Sequence, residues 1–451
     1  MSPRKQSFLG ELIDGLTADV SRRTTGKAGS SDGGGGRRNA PSIPPPLAPR
    51  HGERTTLPPS TPGTVPPMAS TAAADGLNLP DGARGVLPSQ LLHQAVAAGH
   101  IDAGDYKVPD ASVQPASVDL RLGEVAYRIR CSFLPDHDTV EAKVKDHIID
   151  EIDLRRDGAV LETNRPYLIP LIEGLALPPH VRGRANPKSS TGRLDVFTRV
   201  ITDHSYRFDE IAPGYHGPLY LEVVPLSFMV RVKQGLALNQ LRLMVGDASL
   251  DDDEVRAVHA ERPILYRGGQ PVADDRLAIA GGLFLSLDLR GDATGRVGYR
   301  AREHAPLIEM ARVQAYRPED YWEPVPREDG DRIVLAPERF YLLLSDESVV
   351  VHPDLASEMT AYDPTSGELR THYAGFFDPG FGFDASGGLH GSRAALEVRA
   401  HDVPFMIEHR QRVCKLTFEH MVSPPDKLYG AGIGSSYQGQ METLGKHFRR
   451  G

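Results

Sequence analysis

A chain of 451 residues, 25% charged and 40% hydrophobic, has the composition of a soluble globular protein with material for two or three domains. The formal charge of −9 argues against a broad nucleic-acid-binding face, because such a face needs positive charge to displace counterions. No run approaches the roughly 18 apolar residues of a membrane span, and the two distant cysteines, Cys131 and Cys414, form no CxxC. A cytoplasmic protein without nucleic acid, membrane, disulfide or protein-bound zinc is expected.

Residues 1–78 are dominated by proline, glycine and small polar residues, as in GSSDGGGGRRNAPSIPPPLAPR. They supply few large apolar side chains for a core, so a disordered leader is expected, with a short helix at its start at most. From GVLPSQLLHQAV onward the pattern changes. Ser89 is placed to cap a short helix that carries Leu91, Leu92 and Val96 on one face. Many short β-branched segments follow, such as PYLIPLIEGLALP, LYLEVVPLSFMVRV and RFYLLLSDESVVVHP, punctuated by Pro, Gly, Asp and Asn. This spacing predicts an all-β barrel or sandwich.

The chain also repeats itself. NPKSSTGR aligns with DPTSGELR, IAPGYHG with FDPGFGF, HGPLYLEV with HGSRAALEV, and SVDLRLG with LSLDLRG. Two β domains of one fold are therefore expected at 86–250 and 275–451, joined by a charged linker at 251–274.

NPKSSTGRLD places Lys188, Ser189, Ser190 and Arg193 together directly after a proline. Hydroxyls and turn N–H groups can donate to phosphate oxygens while Lys and Arg offset the charge. A solvated surface turn is the plain alternative. Glu222 in LYLEVVP and Glu397 in AALEVRA each sit inside an apolar strand. On an inner face, burial would raise the carboxyl pKa toward neutrality, which suits a general base; an outward edge-strand Glu is the alternative. Asp378 precedes the second Pro–Gly corner and could reach a sugar hydroxyl, whereas Ala212 holds that place in the first repeat. The glycine-rich end, with Tyr437, Gln438 and Gln440, is either a frayed tail or a lid that orders over a ligand.

In this order, QPASVDLRLG, the Lys-Ser-Ser loop, PGYHG, a LEV strand with its Glu and a terminal YQGQ resemble the dCTP deaminases of the trimeric dUTPase superfamily. The double-length bacterial members, with the fold twice in one chain, are the closest match. The resemblance covers nearly everything after about residue 85. It implies two tandem dUTPase-like β domains and metal-independent deamination of dCTP, held as its magnesium complex, to dUTP and ammonia. It implies a homo-oligomer with sites between neighbouring subunits. Carried over by motif, Glu222 and Glu397 both match the catalytic Glu. Lys188, Ser189, Ser190 and Arg193 match the phosphate loop, in which Ser189 and Arg193 would also help position the attacking water, and Tyr437, Gln438 and Gln440 match the lid. Lys188 stands where the family usually has Arg, and the second loop has lost a serine and gained Glu368. A composite site is therefore expected, with the loop from the first repeat and Glu397, Asp378 and the lid from the second. A dUTP pyrophosphatase, a bifunctional enzyme and a non-catalytic nucleotide binder remain as alternatives.

Overall fold

The computed structural model describes residues 76–361, 369–371, 375–386, 388, 390–400, 402–430, 437–439 and 443–450. Most of the expected leader, Gln440 and the centre of the second loop lie outside them. Leu77, at the end of that leader, is already packed into the first core.

The first half opens on α1 (Ser89–Ala97), which buries Leu91, Leu92 and Ala95. Ser89 does not cap it. Pro88 occupies the cap position and its carbonyl accepts from Leu91 and Leu92, while the Ser89 hydroxyl points to Gln90. Two sheets follow. In one, β1 (Val118–Arg121) and β4 (Val181–Pro187) flank β7 (Ala237–Val245), all antiparallel. In the other, β2 (Val125–Ile129), β3 (Tyr167–Ala176), β6 (His216–Pro225) and β5 (Val196–Thr202) pair in that order. Between β4 and β5 lies a single turn, α2 (Ser189–Gly192).

After α3 (Asp252–Glu261), capped by Asp251 in a reciprocal box with Glu254, the second half repeats the pairing. Here β8 (Leu283–Ser286) and β10 (Leu355–Ala361) flank β13 (Arg412–His420), β11 (Gly375–Phe377) adds to β10, and β9 (Phe340–Val349) pairs with β12 (Ser392–Ala400). One detail shows how closely the halves correspond. Tyr167 at the head of β3 accepts a hydrogen bond from the backbone of Glu162 at 3.1 Å, and Tyr341 at the head of β9 accepts one from Ala336 at 3.0 Å. The stretch read as a linker thus contains α3 and a short strand, Leu265–Arg267, that pairs with β9.

The halves are not independent. The first core takes in Trp322, Phe340 and Phe448 from the second half, and Val230–Val232 pairs in parallel with Ile308–Glu309. Each half thus covers surface that would otherwise be solvent-facing on the other.

Candidate active site

The loop is a helical turn rather than an open one. Lys188 holds an extended backbone and its N–H bonds to the Leu238 carbonyl at 3.0 Å. Gly192 and Arg193 then close back on Lys188 and Ser189. The Thr191 hydroxyl anchors the turn to Leu238 at 2.8 Å. Ser189 is left exposed and Ser190 is buried in the turn. Ser189 therefore lines the cavity beside the turn, together with Lys188 and Arg193, while Ser190 does not.

Glu397 comes from β12. Ala394, Leu396 and Val398 face the core of their own half, so alternation turns Glu397 the other way. It is buried nonetheless, at 8% exposure. The cover is α2 of the first half, not the inner face of its own sheet as expected. A methyl group at Gly192 would meet the two Glu397 carboxylate oxygens at 2.6 and 2.8 Å, so any larger residue there would push the acid out of its present place. Burial pushes the Glu397 carboxyl up to about 8; Arg193 opposes this and Asp195 adds to it. Asp195 is held across the halves by an ion pair with Arg399.

Arg193 is itself fixed. Its Nε donates to Ser189 Oγ at 3.1 Å, its Nη1 donates to the Thr443 carbonyl at 3.0 Å, and its guanidinium lies 3.8 Å from the Tyr437 ring centroid. Lys188 is ion-paired with Asp119 of β1. Asp378 is held by Arg242 of β7 at 3.2 Å rather than left free for a sugar. Burial raises its carboxyl above the ordinary range against the pull of Arg242. Arg242 is fully buried; it also reaches Glu419 at 2.9 Å and stacks 4.0 Å from the Phe376 ring.

The tail is tied down. Gln438 exchanges hydrogen bonds with the Pro–Gly corner, donating to Gly380 and Phe383 carbonyls at 3.2 and 3.1 Å and accepting from Gly382 at 3.0 Å. Further on, Phe448 is buried against Tyr321 and Trp322. The cavity enclosed by loop, corner, β12 and Tyr437 holds about 60 Å³, room for roughly two waters.

Glu222 lies elsewhere. It is fully buried on β6, and Arg199 of β5 meets its Oε1 at 2.5 Å while Oε2 has no partner. The structure thus brings Lys188, Ser189 and Arg193 of the first half together with Asp378, Glu397 and Tyr437 of the second, and leaves Glu222 out. Sequence reading missed Gly192, Asp119 and Arg242. Among the described residues, the group of possible metal ligands Asp288, Asp346 and His409 has its carboxylates paired with Arg393, Arg410 and Arg267.

Comparison with known proteins agrees with this architecture. Residues 83–247 match the family described as 2'-deoxycytidine 5'-triphosphate deaminase (DCD) N-terminal domain, and 251–448 match the corresponding C-terminal domain. The chain belongs to the dCTP deaminase family. The crystal structure of 2'-deoxycytidine 5'-triphosphate deaminase from Agrobacterium tumefaciens is 44% identical and superposes with a TM-score of 0.72, over 78% of this chain and 100% of that one. A "dCTP deaminase, dUMP-forming" of Halobacterium salinarum is 32% identical over 143 residues, 31% of this chain and 67% of its own. A "dCTP deaminase" of Natronomonas pharaonis is 28% identical over 185 residues, 40% of this chain and 90% of its own. The double-length, dUTPase-like architecture implied by the resemblance holds for this dCTP deaminase family member. Among its described residues, no helix is long and apolar enough to cross a membrane.

Proposed function

We propose that the protein hydrolyses dCTP, presented as its magnesium complex, to dUTP and ammonia, with Glu397 as general base. The observation that carries this is the state of Glu397: buried, raised to about 8 and, among the described residues, in no ion pair. A base with a pKa near the working pH is well matched to taking a proton and giving it back. Its carboxylate takes a proton from a water as the oxygen bonds to C4 of cytosine. That proton passes to the ring nitrogen, and the proton left on the new C4 hydroxyl goes to the amino group as the C4–N bond breaks, the C4 carbonyl forms and ammonia leaves. Ser189 accepts from Arg193, so its own O–H remains available to a phosphate oxygen. Lys188 and Arg193 offset the triphosphate charge.

The enclosed space of about 60 Å³ is far below the roughly 300 Å³ of a small-molecule site. Tyr437 and its tail therefore act as a lid that lifts for entry and excludes water when shut. The two unpaired cysteines, one exposed and one buried, suit work in the cytoplasm. A homo-oligomer belongs to the same reading, and sedimentation velocity would count its chains.

Incubation with dCTP and Mg2+ followed by anion-exchange separation tests the proposal. Formation of dUTP with equimolar ammonia is expected. The name of the Halobacterium relative raises a second reading, in which dUMP and pyrophosphate appear instead. Tight dCTP binding without ammonia release would reject both.

A further inference from the structure

We propose that Lys446, downstream of the YQGQ motif, is a phosphate-binding residue that engages the end of the substrate's triphosphate. This rests on the reading above and adds a residue to it. The backbone of Lys446 is fixed beside the cavity. Its N–H donates to Tyr437 Oη at 3.3 Å, and its carbonyl accepts from Gln314 at 2.9 Å. On one side, a Cβ on its neighbour Gly445 would sit 3.7 Å from Arg193 Cβ. On the other side, His447 and Phe448 are buried. The Lys446 side chain therefore starts from a rigid point next to Arg193 and Tyr437, both of which line the cavity.

Among the described residues, the charged groups that act on the Lys446 ammonium are Lys188 and Asp119, and Asp119 is already paired with Lys188. Arg193 nearby is a third cation, and its Nε and Nη1 are held by the Ser189 hydroxyl and the Thr443 carbonyl. Among the described residues no carboxylate pairs with Lys446. Its half-buried ammonium is depressed below the ordinary lysine value, by burial first and by Lys188 second. An ammonium taken partly out of water without an anion of its own is costly, and a Lys446 set close to Lys188 and Arg193 suits a ligand that brings its own negative oxygens. His447 is driven down to about 4, chiefly by burial, so it is neutral at pH 7 and adds nothing to the count. With the base at Glu397, the triphosphate would run past Ser189 and Arg193 to Lys188 and Lys446.

Calorimetric titration of inorganic triphosphate into the full chain, wild type and Lys446→Met, tests this without turnover. The variant is expected to bind at least about tenfold more weakly, the scale of one lost charge-assisted hydrogen bond. Lys446→Arg should recover most of the loss, and the affinity for deoxycytidine should stay the same in all three proteins. With dCTP, KM should rise while kcat changes by less than about threefold. Three results would overturn the proposal: unchanged triphosphate affinity in Lys446→Met, equal weakening of triphosphate and deoxycytidine, or no triphosphate binding to the wild type. Whether the wild type releases ammonia from dCTP is a separate measurement, so the two readings fail separately.

Discussion

Glu222 and Glu397 occupy matching strands of a duplicated fold, opposite Leu168 and Leu342 respectively, yet their surroundings differ in kind. Arg199 binds Glu222 directly, and its guanidinium lies 3.7 Å from the Phe208 ring. Arg193 lies 3.8 Å from the Tyr437 ring but bonds to Ser189 and Thr443 instead of Glu397. Both neighbourhoods thus contain an arginine stacked on an aromatic ring. In one the cation is spent on the acid, and the result is a structural ion pair. In the other the acid keeps its proton affinity, and the result is a candidate base. The deciding residue is Gly192, which lets α2 press on Glu397 without offering it a countercharge.

The sharpest way to break this comparison is to neutralise each acid in turn. Glu397→Gln should lower deamination by about a thousandfold or more, within the range of a lost general base. Glu222→Gln should keep turnover within a few-fold. It strands Arg199, however, and should cost about 3 kcal/mol of stability, the low end for a broken buried pair because Arg199 is partly exposed. Ammonia release and urea unfolding of the two variants check both halves of the claim. Loss of activity in Glu222→Gln alone would reverse the assignment.

Gly192→Ala comes next. Its methyl lands on the Glu397 carboxylate, so turnover should fall about a hundredfold while overpacking costs roughly 1–3 kcal/mol. The same substitution should leave the Glu222–Arg199 pair intact.

The pH dependence follows in size. Glu397 must be ionised to act as a base, so kcat/KM should climb with pH and level off above about 8. The stability effect has the opposite sign. A carboxyl at about 8 in the native state and about 4.3 unfolded means the native state holds the extra proton between those values. Stability should therefore fall as pH rises through that window. Glu397→Gln should remove this fall and melt higher than wild type at pH 8, a gain in stability from the loss of the base.

Much of the fold was legible because strand alternation and a gapless repeat are local signals. The loop, the Pro–Gly corner and the two acids were legible as residue types. Their partners were not. Arg242 in QLRLMV reads as an ordinary outward-facing position on an alternating strand, and it is buried only because the second half covers it with Asp378, Glu419 and Phe376. Arg199 in VFTRVIT reads the same way. Gly192 looked like turn punctuation until Glu397, 205 positions later in the chain, was placed against it. Ser190 and Ser189 are equivalent in sequence, and only the winding of α2 decides which hydroxyl reaches the cavity. Sequence leaves the tail as either frayed or a lid because its anchor, Phe448, finds its aromatic partners only through tertiary contact.

The smallest effect tests the stacking that the two neighbourhoods share. Tyr437→Phe keeps the ring under Arg193 and removes only the acceptor of the Lys446 N–H. One long neutral hydrogen bond is worth about 0.5–1.5 kcal/mol, so KM for dCTP should rise by roughly threefold with kcat unchanged. Tyr437→Ala removes the ring as well, and Arg193 then loses the platform that fixes its orientation. A cation–π contact of about 1 kcal/mol should add a further fivefold or so. In the first half, Phe208→Ala removes the matching ring from Arg199 and should leave KM unchanged, because the ion pair with Glu222 holds that guanidinium without help. Equal effects of the two alanine substitutions on KM would mean that both arginines serve the nucleotide, and the contrast between the halves would fail.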